Sequence, residues 1–271
     1  MEISTPIGIV LTFAALLVAF VLDKGNPAGL LRPTAAMIVF GGTFGAACTS
    51  FPLSTFLQIP KMIMLSIMPP KLDFAGAIAA FVQLADKARR EGLLSLEEEA
   101  QKITDPFLKR GVMLVVDGVD AEVVREILES EIAHMEKRHK SSYAILSAMG
   151  GFSPTMGVVG TVMGLTLVLA TMADDPDAIG EKIGTAFVAT LYGVGFANAV
   201  WLPLASKLKG ISEREVMLRE MMTEGVLAVQ AGENPRIVRE KLETFIPPKL
   251  RGAAAEAAGG AAAGVSARAQ A

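Results

Sequence analysis

The sequence predicts an all-α, polytopic membrane protein with four transmembrane helices and a helical aqueous domain between the second and third. Three observations carry this. Two late stretches, Ser147–Met172 and Ile183–Ser206, are apolar, dotted with Gly and Thr, and contain no Asp, Glu, Arg or Lys. Two early stretches, Thr5–Leu22 and Thr34–Phe51, are similarly apolar. Each is long enough for the roughly 30 Å hydrocarbon core, which takes about 20 helical residues. Third, the charges are segregated: nearly all lie within Lys61–Lys140 and Lys207–Arg251. The chain has 271 residues, 52% of them hydrophobic and 20% charged, with mean hydropathy +0.47.

The elements follow in order. Thr5–Leu22 reads as a retained span and not a secretory signal, because no Lys or Arg precedes it and Asp23-Lys24 follows at once. Thr34–Phe51 is the second span, so residues 1–53 form the first membrane segment. Cys48, the single cysteine, reads as a small packing residue. Residues 54–146 read as a helical aqueous domain. Phe56–Met68 is Met-rich and interrupted by Pro60; it suits either a helix along the membrane face or a bent connector. Asp73–Glu91 places Phe74, Ile78, Phe81, Leu84, Ala85 and Ala88 at helical spacing, and Gly92 ends it. Ser95 followed by Glu98 has the pattern of a capping box. Val119–Lys140 carries Val123, Ile127 and Ile132 among alternating charges, a long solvated helix. Residues 147–206 hold spans three and four. Residues 207–251 read as charged helix, and the Ala/Gly-rich residues 252–271 as a disordered tail.

Orientation follows from Lys and Arg near the span ends. The loop between spans one and two holds Lys24 and Arg32, and that between three and four is acidic, with Lys182 alone. Lys61, Arg138, Lys140, Lys207, Lys209 and Arg214 lie on the other side. Both termini and the central domain are therefore expected in the cytoplasm. The net charge of −3 comes from interspersed signs, and no basic patch with interleaved aromatics points to nucleic acid. His134 and His139 lack the third ligand of a metal site, and no phosphate loop is present. No cofactor and no enzymatic activity are expected.

Spans three and four carry the candidate chemistry. Gly157, Gly160 and Gly164 recur at turn-like intervals, which lets a neighbouring helix approach at backbone distance. Pro154 cannot donate to the Gly150 carbonyl and is expected to kink the helix. Thr161 falls on the Pro154–Gly157 stripe. Thr190 sits between Ala186 and Gly193 on a second small-residue stripe, and Pro203 is expected to kink the inner end. The plainer alternative is that each threonine bonds its own i−4 carbonyl and that the glycines and prolines only shape a bundle. No span contains a carboxylate, whereas moving protons or Na⁺ across a membrane usually takes an ionisable group at depth. Either the chain moves no ions, or a partner helix supplies the acid.

The order of two spans, about 90 aqueous residues, two spans and a charged tail resembles MotA and PomA, the A subunits of the bacterial flagellar stator. So do ARREGLLSLE at 88–97, GFSPTMGVVGTVMGL at 151–165, and ATLYGVGFAN with WLPLASKL at 189–208. The wider group includes TolQ and ExbB, which usually have three spans and lack the ARREGLLSLE-like element.

The resemblance implies an inner-membrane assembly of five A subunits around two MotB/PomB-like B subunits. Each B subunit brings a membrane Asp, and ion passage there drives the A ring against the rotor switch protein FliG. It implies that Arg89, Arg90, Glu97 and Glu131 engage the rotor. It further implies that Pro154 and Pro203 couple torque, and that Thr161 and Thr190 line the ion path. The coupling ion is Na⁺ or H⁺; hydroxyl oxygens suit a hard cation, and proton-driven relatives more often place Ala at the Thr161 position. From spacing alone the charged residues read equally as a solvated helix face. A TolQ/ExbB-like energiser of an envelope system and a non-conducting membrane scaffold remain as alternatives.

Overall fold

The computed structural model describes residues 3–172 and 179–248; the expected tail at 252–271 lies outside them. Among the described residues all regular structure is helical. The described residues form two compact units, 3–70 with 138–172 and 179–211, and 71–137 with 212–248.

The first unit holds the membrane spans. Four helices are long and apolar enough to cross a membrane: Ser4–Leu22, Pro27–Ser50, Ala121–Thr171 and Ile179–Gln230. The first span buries no residue within the chain, as suits a helix apolar on every side and bathed in hydrocarbon. The second opens on a 3₁₀ turn, Pro27–Leu30, capped by Asn26. Its centre widens into a π turn at Met37–Gly41. There the buried Thr43 hydroxyl donates to the Val39 carbonyl at 2.6 Å, competing with the backbone for that acceptor. A second π turn, Ala197–Trp201, lies just before Pro203, which cannot bond the Ala199 carbonyl.

Aromatic contacts join the spans. Phe196 meets the edge of Phe40 at 4.6 Å and lies 5.2 Å from Phe13. Phe44 meets Trp201 at 5.9 Å. Ile145, Leu146 and Met149 pack with Trp201, Leu204 and Leu208 and with Ile59 and Met62 of the connector. The connector breaks at Leu57–Gln58, between the helices Leu53–Phe56 and Ile59–Ile67, just ahead of Pro60. Pro60 occupies the first turn of the helix Ile59–Ile67, where a missing N–H costs nothing. Cys48, expected as a packing residue, is exposed within this chain.

The second unit has its own core. Asp73 caps the helix Phe74–Glu91 by accepting from the Gly76 amide at 2.8 Å. Ile78, Phe81, Leu84, Ala85 and Ala88 are buried on its inner face, as the spacing predicts. Phe81 is fully buried, worth about 1.5–3 kcal/mol relative to exposure. Its ring lies where a Cβ on Gly225 would fall 2.7 Å away, so Gly225 admits it. In the next long helix the buried stripe is Val124, Leu128 and Ile132, while Val123 is exposed. Val124 and Leu128 thus take the places expected of Val123 and Ile127, while Ile132 is buried as expected. The capping box does not form. Ser95 already has helical backbone angles, and its hydroxyl donates to the Gly92 carbonyl at 2.7 Å.

Candidate functional site

The glycine stripe of span three is filled by span four of the same chain. A Cβ on Gly157 would lie 2.9 Å from the Ala189 carbonyl oxygen and 3.2 Å from the Gly193 Cα. One on Gly193 would lie 2.5 Å from the Ser153 carbonyl oxygen and 3.0 Å from the Gly157 Cα. Only glycine fits at this crossing. Gly160 and Gly164 make room for the methyls of Ala189 and Ala186, which hypothetical Cβ atoms would approach to 2.7 and 2.6 Å. Ser153, fully buried, donates its hydroxyl to the Gly193 carbonyl at 2.9 Å and ties the helices together.

One turn beyond the Gly157–Gly193 contact the two candidate hydroxyls meet. Thr161 Oγ1 is hydrogen-bonded with Thr190 Oγ1. It also lies 3.0 Å from the Gly157 carbonyl and 3.0 Å from the Ala186 carbonyl. A hydroxyl has one proton to donate and can still accept. Four uncharged oxygens therefore converge with fewer donors than they can accept from, and both threonines are only partly buried. Such a cluster can offer oxygen ligands to a cation or accept a proton-bearing group from outside. Thr161 thus combines the i−4 bond of an ordinary membrane threonine with a contact across helices. Pro154 is half-buried inside a helix that runs on through it. Pro203 is exposed.

The ends of spans two and four are fastened separately. The Tyr192 hydroxyl donates to the Leu30 carbonyl at 2.5 Å, and Arg32 pairs with Glu181 at 2.8 Å.

The aqueous unit carries the charged candidates. Arg89 and Glu97 are exposed on either side of Gly92, whose φ of 86° lies in the region that favours glycine. Neighbouring charges are paired: Lys87 and Lys102 each reach Glu99 at 3.0 Å, and Arg90 reaches Asp86 at 3.0 Å. The hydrogen bonds from Lys102 and Lys87 hold the Glu99 carboxyl below its ordinary value, and the bond to Glu99 raises Lys87. Among the described residues Arg89 and Glu97 form no ion pair. Glu131 pairs with Arg110 at 3.2 Å.

The profile of the Motility protein A N-terminal family matches residues 6–92, and that of the MotA/TolQ/ExbB proton channel family matches residues 99–221. Motility protein A of Bacillus subtilis is 40% identical over 252 residues, covering 93% of both chains. The chain belongs to the MotA family. The flagellar MotAB stator complex from Bacillus subtilis contains a similar chain, with TM-score 0.85 and 40% identity over 92% of this chain and 98% of that one. MotAB from C. jejuni gives TM-score 0.86 and 31% identity, over 92% and 97%.

Several residues of this MotA-family chain do work that its sequence did not disclose. Ser153 has no periodic signal; only its buried cross-helix bond marks it. Arg219 reaches both carboxylate oxygens of Asp105 at 2.7 Å and lies 5.2 Å from the Phe107 ring. Asp105 also caps the helix Pro106–Val116. The Asx-Pro start at 105–106 was a visible capping signal; its distant arginine was not.

Proposed function

We propose that this chain is the A subunit of an ion-driven flagellar stator. Five copies surround two B subunits in the bacterial inner membrane, with both termini in the cytoplasm. The carrying observation is the cluster of Thr161 and Thr190 hydroxyls with the Gly157 and Ala186 carbonyls, set in spans without a carboxylate. The B subunit's membrane Asp supplies the missing charge and meets this cluster from its open side. The coupling ion is Na⁺, which exchanges part of its hydration shell for these hard oxygens. Passage of the ion turns the ring, and the Arg89–Glu97 edge pushes the rotor switch protein. Arg90 and Glu131, each held in an ion pair, support that edge, and Pro154 and Pro203 couple the spans to it.

The test is swimming speed against external Na⁺ at fixed membrane potential. Thr161→Val and Thr190→Val preserve shape and remove one oxygen each. Both are expected to raise the Na⁺ concentration for half-maximal speed. Unchanged curves would remove the threonines from the path, and a flat wild-type curve would remove Na⁺ in favour of protons.

A further inference from the structure

We propose that Leu94 is the apolar anchor by which the charged edge grips its protein partner; the inference rests on the rotor-engaging reading above. Leu94 is 76% exposed, the same as or more than any other large apolar residue among the described residues of its unit. Its neighbour Leu93 turns inward and packs on the core. The two part because Gly92, at φ 86°, reverses the chain just before them. The turn is not loose. The Ser95 hydroxyl and amide both donate to the Gly92 carbonyl, at 2.7 and 3.2 Å. A side chain presented on a fixed turn loses little entropy on binding.

The surrounding charge defines the partner. Lys87, Lys102 and Glu99 satisfy one another, as do Arg90 and Asp86. Arg89, Glu91, Glu97 and Glu98 are exposed and form no ion pair among the described residues. The edge therefore offers one leucine framed by three anions and one cation. Its complement is a protein surface with an apolar socket, ringed by basic side chains, with one acid placed for Arg89. Charges at such a rim steer the encounter, while a central desolvated side chain supplies most of the holding energy.

The experiment uses the full A–B complex in motile cells, with labelled stators tracked at the motor. Leu94→Ala and Leu94→Gln are expected to shorten dwell time by about 10- to 100-fold, the factor that matches loss of one buried leucine. Leu94→Met should stay near wild type. Ion flux and the melting temperature of the purified complex should not change. Lower melting in both the Ala and Gln variants would make Leu94 a packing residue and overturn the proposal. Wild-type dwell in both, with dwell shortened by Arg89→Ala, would overturn the anchor and leave the rotor-engaging reading standing. Wild-type dwell in all of them would overturn both.

Discussion

Adding one methyl at Gly193 should open the seam between spans three and four. The new Cβ would sit 2.5 Å from the Ser153 carbonyl oxygen, against at least 3.4 Å for ordinary contact. The obstacle is backbone, so no side chain can swing aside. The helices must part by roughly 1 Å, and overpacking of this kind costs about 1–3 kcal/mol. That displacement also stretches the buried Ser153–Gly193 hydrogen bond beyond its 2.9 Å, at a further cost of about 0.5–1.5 kcal/mol. Alanine returns up to about 1 kcal/mol of helix propensity. The net expectation is a loss of about 0.5–4.5 kcal/mol, several degrees in melting temperature for a chain of this size. Gly195→Ala is the control, two residues along the same helix with nothing within 4 Å of its added Cβ; it should be neutral or slightly stabilising. Thermal unfolding of the purified protein in lipid nanodiscs compares the two. Because Thr190 lies one turn from Gly193, Gly193→Ala should also weaken ion-dependent swimming. Equal melting of the Gly193 and Gly195 variants would refute the backbone-contact account.

Two further outcomes are expected. The chain co-expressed with its B subunit should purify as one complex with five A copies by particle symmetry; a stable monomer under those conditions would refute the ring. Asp105 sets an acid limit on the aqueous unit: burial opposes its charge, but Arg219 and the Leu108 and Phe107 amides outweigh burial and hold the carboxyl below its ordinary value. A depressed carboxyl stabilises the fold above its unfolded pKa near 4, and this contribution is lost as pH falls through the lower folded value. Asp105→Asn keeps a capping oxygen but loses the charge paired with Arg219, so stability at neutral pH should drop by about 1–3 kcal/mol and the acid slope should flatten. Equal acid slopes in circular-dichroism melts of variant and wild type would refute this.

The spans were legible because length and apolarity are local, additive signals. The glycine stripe was legible for the same reason, since a 3.6-residue period fixes which residues share a face. What fills that stripe was not, because Gly157 and Gly193 are brought together only by packing. The Asp105–Arg219 pair is separated by 114 residues, and no local pattern spans that distance. The capping box failed for a definable reason. A cap residue needs extended backbone, but the turn at Gly92 delivers Ser95 already in helical conformation, with φ −66° and ψ −15°. The shift from Val123 to Val124 was legible in the pattern: Val124, Leu128 and Ile132 recur every four residues, whereas Val123, Ile127 and Ile132 break that spacing, and the buried set packs with Val226 and Leu227 in one core.

Occupation of the glycine stripe within the chain bears on the rotation proposed above. Gly157 and Gly193 meet at backbone distance and Ser153 locks the crossing, so spans three and four act as one wall and do not slide past each other. Gly157 and Gly193 are therefore not free to serve as a surface for a partner helix. The outward faces instead carry Val158, Val162, Leu165 and Leu169 on span three, and Phe187, Leu191 and Val194 on span four. Contacts between such side chains and a partner are dispersive, about 0.1–0.2 kcal/mol per atom pair, and lack the directionality of hydrogen bonds. A helix turning against them exchanges one set of equivalent contacts for another. Thr155 and Thr166 of span three are also exposed, but their hydroxyls donate to the Phe152 and Val162 carbonyls of their own helix, whereas the Thr161–Thr190 pair is a polar contact between helices. On the function proposed above, the Thr161–Thr190 pair is the polar step that each subunit would offer a turning partner helix.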